Sequence, residues 1–77
     1  MTKQVKIVKI EDKLPLIHSL KEVTRLKTET CVNIVNRISD TGSILLVGDS
    51  GYITVPQWEK ACEIANKDKK VVEYEYL

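Results

Sequence analysis

Two amphipathic helical patterns follow a strand-like segment with almost no linker between them, and this order constrains the fold more than any other feature. The strand-like segment, residues 4–10, is apolar on both alternations, which predicts a central strand or one kinked by a bulge. The first helical pattern begins near Pro15, whose missing N–H costs nothing in a first turn. The second begins at Thr28, a predicted N-cap, and ends near Ser39, before Gly42.

Both helical patterns place apolar residues three and four positions apart, so each predicts a stripe that packs on a core. The stripes are Leu16, Ile17, Leu20, Val23 and Leu26 in the first helix, and Cys31, Ile34, Val35 and Ile38 in the second. The chain's two cysteines, Cys31 and Cys62, both fall on apolar stripes. Without neighbouring histidines they favour reduced, buried thiols over a zinc site or a disulfide framework, so neither a metal nor a cofactor is expected.

The second half of the chain predicts a hairpin and a third helix. Residues 43–47 and 52–55 are β-rich and flank Gly48-Asp49-Ser50-Gly51, a pattern typical of a hairpin turn and too short for a phosphate-binding loop. Thr54 and Gln57 form a capping-box pattern with proline in the first turn. The helix that follows carries Trp58 on its apolar stripe.

The last seven residues alternate between apolar and acidic side chains, which predicts a closing strand with one face in water. The predicted order is therefore β-α-α-β-β-α-β. We expect an α+β fold, a two-layer sandwich with helices on one side of the sheet, in a single domain that spans residues 1–77.

The net charge of +1 gives no general reason to expect nucleic acid or a membrane as a partner. The charge is unevenly spread, because residues 1–37 hold eight basic against four acidic side chains and residues 38–77 hold four against seven. No apolar run reaches the length of a membrane span or a signal-peptide core, and Met1-Thr2-Lys3-Gln4 is typical of a cytoplasmic protein's start. We expect a cytoplasmic location and no membrane partner.

The first helix has the pattern Lys13-Leu14-x-x-Ile17-x-x-x-Lys21-Glu22-Val23-Thr24-x-Leu26. This pattern resembles the helix that opens the C-terminal domain of the bacterial ribosomal stalk protein, where Lys-Ile-x-x-Ile-x-x-x-Arg-Glu-Ile-Thr-Gly-Leu-Gly precedes a second helix. The chain also looks like the ClpS adaptors of the Clp protease, which share that fold. Their Asp-Asp-x-Thr-Pro-Met entry to the first helix is similar to Glu11-Asp12-Lys13-Leu14-Pro15-Leu16, and their second-helix motif is similar to residues 32–42.

The resemblance implies a fold whose members bind other proteins and do no chemistry. The stalk family's Gly-Leu-Gly is Arg25-Leu26-Lys27 here. The adaptors' pocket residues for a destabilising N-terminal amino acid correspond to Ile10, Glu11, Asp12, Leu14, Leu16 and Ser39. Because the amine-reading Asn and His of that pocket are replaced, we do not expect recognition of such N-termini.

The exposed side of the first helix is the predicted partner-binding site. It gathers His18, Lys21 and Arg25, with Lys13 just before them. In the stalk family the matching surface contacts translation factors. No enzyme activity is expected, because His18 is the only histidine and lies opposite the apolar stripe, away from both cysteines. The first hypothesis is thus a protein-binding module, adaptor-like or translation-factor-binding-like, such as a small phage or accessory protein of undetermined oligomeric state.

The alternative hypothesis is a nucleic-acid-binding regulator that uses the same basic face. A third interpretation is a helix-turn-helix, in which the second helix would present Asn33, Asn36 and Arg37 to base edges. The low net charge weighs against both, because it leaves little counterion-release energy to drive binding.

Overall fold

Six elements form the fold, in the order β-α-α-β-α-β, in a computed structural model that describes residues 2–49 and 52–77. They are β1 (Lys3–Ile10), α1 (Lys13–Thr24), α2 (Thr28–Asp40), β2 (Leu45–Val47), α3 (Val55–Ala65) and β3 (Val72–Tyr76). The strands form a three-stranded antiparallel sheet in the order β2-β1-β3. The predicted α+β class is confirmed.

Strand β1 lies at the centre of the sheet and is also kinked. Val5 is the Cα partner of Leu45 on one side and of Tyr76 on the other. The register to β3 shifts between Ile7 and Lys9, which leaves Val8 without a Cα partner. A central position and a bulge each explain why both alternations of this segment carry apolar residues, and both are confirmed.

The predicted hairpin is wrong in its second strand. At its turn, the N–H of Gly48 donates to the carbonyl of Ile53 at 2.8 Å. The N–H of Gln57 then donates to Thr54 Oγ1 at 3.3 Å, and the N–H of Thr54 donates to Gln57 Oε1 at 3.0 Å. This capping box starts α3 at Val55, so residues 54 and 55 cannot continue a strand. The seven-element order is thereby corrected to six; residues 50 and 51 of the predicted loop lie outside the described residues.

One apolar core joins all six elements. Helix α1 packs on both α2 and α3, and α2 also packs on β1. The buried apolar residues are Val5, Leu16, Ile17, Leu20, Cys31, Val35, Ile38, Val47, Ile53, Trp58, Ala61, Cys62, Ala65, Val71 and Val72. The helical stripes are confirmed in their buried members, whereas Val23, Leu26 and Ile34 are only half-buried, and Leu26 lies beyond the end of α1. Within the described part of the chain, no helix is long and apolar enough to cross a membrane.

Capping contacts define the two ends of α1 and the start of α2. Asp12 caps α1 by accepting a hydrogen bond from the N–H of Leu14 at 3.1 Å. The helix ends at Arg25, whose φ of 60° lies in the left-handed region and whose N–H donates to the carbonyl of Lys21 at 2.9 Å. The N-cap of α2 is Lys27, which makes no side-chain capping bond, and not Thr28 as the sequence predicts. The N-cap therefore lies one residue earlier than predicted, and Thr28 is the first residue of the helix.

Candidate functional site

The exposed face of α1 and the two residues that follow it line a shallow, open surface cleft of about 620 Å³. Its lining residues are His18, Lys21, Glu22, Arg25 and Leu26. The first four are spaced three, one and three positions apart, which brings them to one face of the helix. The opposite face is committed to the core through Leu16 and Leu20, both fully buried. The packing of Leu16 and Leu20 on the core therefore fixes the orientation of the helix that lines the cleft.

The basic groups of this cleft are unused within the domain. Among residues 2–49 and 52–77, no ion pair and no side-chain hydrogen bond involves His18, Lys21 or Arg25. Some surface lysines do pair with carboxylates, as Lys70 does with Glu73 at 3.2 Å, whereas others in the described part of the chain, such as Lys60 and Lys67, do not. Lys21 and Arg25, four residues apart, are therefore both available to an acidic group of another molecule.

This arrangement has opposing effects on the stability of α1. Lys21 in the last turn and Arg25 at the C-cap lie where positive charge interacts favourably with the helix dipole. Arg25 also holds a left-handed backbone that costs about 1 to 2 kcal/mol for a residue with a Cβ. The backbone conformation of Arg25 is therefore the feature that opposes folding.

Lys13 does not join the other three predicted site residues. Its Nζ lies 2.6 Å from Asp40 Oδ1 and 3.2 Å from Asn36 Oδ1, so it fastens the start of α1 to the end of α2. The structure therefore brings His18, Lys21 and Arg25 together and places Lys13 in an interhelical contact.

The two thiols lie in the core, as predicted. Cys31 and Cys62 are at most 2% exposed, whereas His18 is exposed. Burial raises the pKa of Cys31, an effect opposed by the hydroxyl of Thr24 and the charge of Lys21. Burial, with the nearby charge of Glu59, raises the pKa of Cys62 to about 12. Both thiols are therefore protonated near neutral pH. Across the described residues, no three His, Cys, Asp or Glu side chains are grouped so as to hold a metal ion.

A second concavity, which the sequence reasoning missed, lies between α2 and β2. We call it the α2/β2 groove; its volume is about 1010 Å³. Its α2 side includes Thr30, Asn33, Ile34 and Arg37, and its β2 side includes Ile44, Leu45 and Leu46, with Tyr52 at one end. Three of its apolar side chains are notably exposed: Ile44 by 49%, Leu46 by 46% and Tyr52 by 81%.

The sequence holds one trace of this groove. Thr30, Asn33, Arg37 and Thr41 recur at spacings of three or four, a second stripe on α2 beside the core stripe. Nothing in the spacing shows that a strand runs opposite this stripe, because that neighbour comes from the tertiary fold.

The two surfaces differ in chemistry. The α1 cleft combines two fixed cations and an imidazole with one carboxylate, whereas the α2/β2 groove is mainly apolar and carries a guanidinium on its helical side. Each suits a macromolecular partner better than a small molecule, since neither encloses a deep pocket. No protein-family model matches the chain, and no curated protein or solved structure matches it at a significant level.

Proposed function

We propose that this domain is a non-enzymatic protein-binding module that docks an acidic surface of a partner on the exposed face of α1. The observation that carries the proposal is the convergence of His18, Lys21 and Arg25 on one cleft without a partner in the described residues. Surface charges that serve solubility are usually interspersed with opposite ones. Here Glu22 lies between the two cations, yet neither cation pairs with a carboxylate among the described residues, and Arg25 holds a strained backbone.

The rigidity of the face supports this function. Leu16, Leu20 and Cys31 anchor α1 to the core and to α2, and all are fully buried. Cations held on a fixed helix lose little conformational freedom beyond their own side chains when a partner binds. Their main contributions would be to the association rate and to specificity, as is usual for exposed interfacial charges.

A protein suits the cleft better than nucleic acid does. Glu22 lies among the basic residues and would repel a phosphate backbone, while Leu26 adds an apolar contact. At most three cations would face phosphates, a small electrostatic contribution. The resemblance of the first helix to the ribosomal stalk domain makes a translation factor the first partner to test, and an adaptor-like role the second.

The test is a charge reversal with a matched control. Lys21→Glu/Arg25→Glu places two negative charges in the cleft, and Lys60→Glu/Lys67→Glu makes the same charge change at two exposed lysines elsewhere. Tagged wild type and both variants are used to capture proteins from bacterial lysate, with urea midpoints measured in parallel. We expect the α1 variant to lose the captured partner at a nearly unchanged midpoint, because surface substitutions seldom change stability by more than about 0.5 kcal/mol.

The control variant should keep the partner. Equal capture by wild type and the α1 variant would rule out the α1 face as the docking site. Capture that disappears after nuclease treatment, with a steep salt dependence of binding, would favour the nucleic-acid alternative instead.

A further inference from the structure

The two edge strands of the sheet differ in the side chains that discourage pairing with a strand of another chain. On the β3 edge, Glu73 and Glu75 alternate along the strand, and Glu73 pairs with Lys70 at 3.2 Å. Charged side chains on an edge strand discourage pairing with another chain. On the β2 edge, residues 43–48 read Ser-Ile-Leu-Leu-Val-Gly, without a charge or a proline. Strand β2 is only three residues long, which limits pairing, but no charged side chain and no proline on it blocks a further strand.

Helix α2 lies opposite this uncharged edge, across the α2/β2 groove. The stripe of Thr30, Asn33 and Arg37 on α2 faces the groove along its length, and Leu45 and Leu46 of β2 contribute the other side. A groove between a helix and an edge strand accommodates one extended segment, which gains main-chain hydrogen bonds from the strand and side-chain contacts from the helix. A backbone hydrogen bond from the N–H of Gly48 to the carbonyl of Ile53 lies just beyond the end of β2.

The charge in the groove indicates the chemistry of the occupant. Among the described residues, the guanidinium of Arg37 makes no ion pair and no hydrogen bond. The carboxylate of Asp40, which also lines the groove, is engaged by Lys13 at 2.6 Å. Arg37 is therefore available for a charge-assisted, bidentate hydrogen bond to a carboxylate.

We propose that the α2/β2 groove is a second binding site, which takes an extended segment of a partner protein as an added strand on β2. The segment carries apolar side chains that cover Ile44 and Leu46 and a carboxylate that reaches Arg37. A second copy of this chain fits less well, because its own β2 segment, residues 43–48, brings no carboxylate and would leave Arg37 unpaired. This site is separate from the α1 face and does not depend on it.

The experiment uses synthetic octapeptides and the full chain. Each peptide has a Val/Thr background with one Glu, and the Glu is moved through every position; a second set replaces Glu with Lys. Binding is followed by fluorescence polarisation and by the amide shifts of Leu45, Leu46 and Val47. We expect the best Glu peptide to bind at least tenfold more tightly than its Lys counterpart, and N-methylation of alternate peptide amides to abolish binding.

Variants of the protein separate this site from the α1 face. Arg37→Glu should reverse the preference from Glu to Lys peptides, and Arg37→Gln should remove the preference while leaving the fold intact. Lys21→Glu/Arg25→Glu should leave peptide binding unchanged. The proposal is overturned if no peptide binds, if Glu and Lys peptides bind equally, or if N-methylated peptides bind as well. It is also overturned if the protein forms a dimer that Leu46→Lys dissociates, since that result would assign the edge to a second copy.

Discussion

Arg25 ends α1 in a backbone conformation that glycine normally supplies. Its φ of 60° is the only positive value among the described residues other than glycine. The sequence places the residue on the exposed face of the helix, but it does not show the left-handed backbone, because many helices end without one. Arginine at this position keeps a cation at the rim of the α1 cleft and costs backbone stability.

Replacing Arg25 with Gly should move stability and binding in opposite directions. Relief of the left-handed strain, partly offset by the greater entropy of glycine in the unfolded chain, should stabilise the domain by a few tenths to about 1 kcal/mol. Loss of the guanidinium should weaken capture of the α1 partner. Arg25→Ala is the control, since it removes the charge and keeps the strain. A urea midpoint for Arg25→Gly at or below that of Arg25→Ala would contradict this account of the C-cap.

The three helices and the three strands could be predicted because the sequence pattern of each lies within that element. The apolar spacing within one helix, such as that from Leu16 to Leu20, and the capping box at Thr54 each involve only a few neighbouring residues. The second hairpin strand failed where two local signals overlapped, and the capping box prevailed. The interhelical position of Lys13 and the α2/β2 groove could not be predicted, because each depends on residues that only the tertiary fold brings together.

The core stripe of α2 makes a graded prediction about stability. Val35 is fully buried, whereas Ile34 is half-buried on the wall of the α2/β2 groove. Val35→Ala should cost about 1 to 3 kcal/mol through lost burial and the cavity left behind, although it removes less side chain than Ile34→Ala. Ile34→Ala should cost roughly half as much, because its side chain is partly in water already. Urea denaturation of both variants measures the order; a larger loss for Ile34→Ala would show that the helix is rotated.

At the scale of the whole molecule, aromatic contacts tie the last strand to α3. The ring centroids of Trp58 and Tyr74 lie 5.5 Å apart in an edge-to-face arrangement, and those of Tyr74 and Tyr76 are also 5.5 Å apart. The hydroxyl of Tyr76 donates to Glu59 Oε2 at 2.9 Å, and Lys3 Nζ lies 4.5 Å from the centroid of the Tyr76 ring. Burial, with the hydrogen bond to Glu59, raises the pKa of Tyr76.

Stability should therefore fall in alkaline solution. Cys62 and Tyr76 are both neutral when protonated, and both have a higher pKa folded than unfolded, so the folded state keeps protons that the unfolded chain loses. Their contribution is complete below about pH 9, near the ordinary pKa of a thiol, and is lost as pH rises towards the folded values. Urea midpoints from pH 7 to 11 should show the decline. Cys62→Ala should reduce the decline of the urea midpoint at the lower end of this pH range, and Tyr76→Phe should reduce it at the upper end. Unchanged slopes in both variants would contradict these pKa shifts.

The most direct test of the central claim is to map where the captured partner touches the domain. Backbone amide shifts of the ¹⁵N-labelled full chain are recorded as the unlabelled partner is added. We expect the largest shift changes at His18, Lys21, Arg25 and their neighbours on the exposed side of α1, and no change at the amides of α3 around Lys60. Shifts concentrated on α3 or on β2, with the α1 amides unmoved, would contradict the proposal that the partner docks on α1.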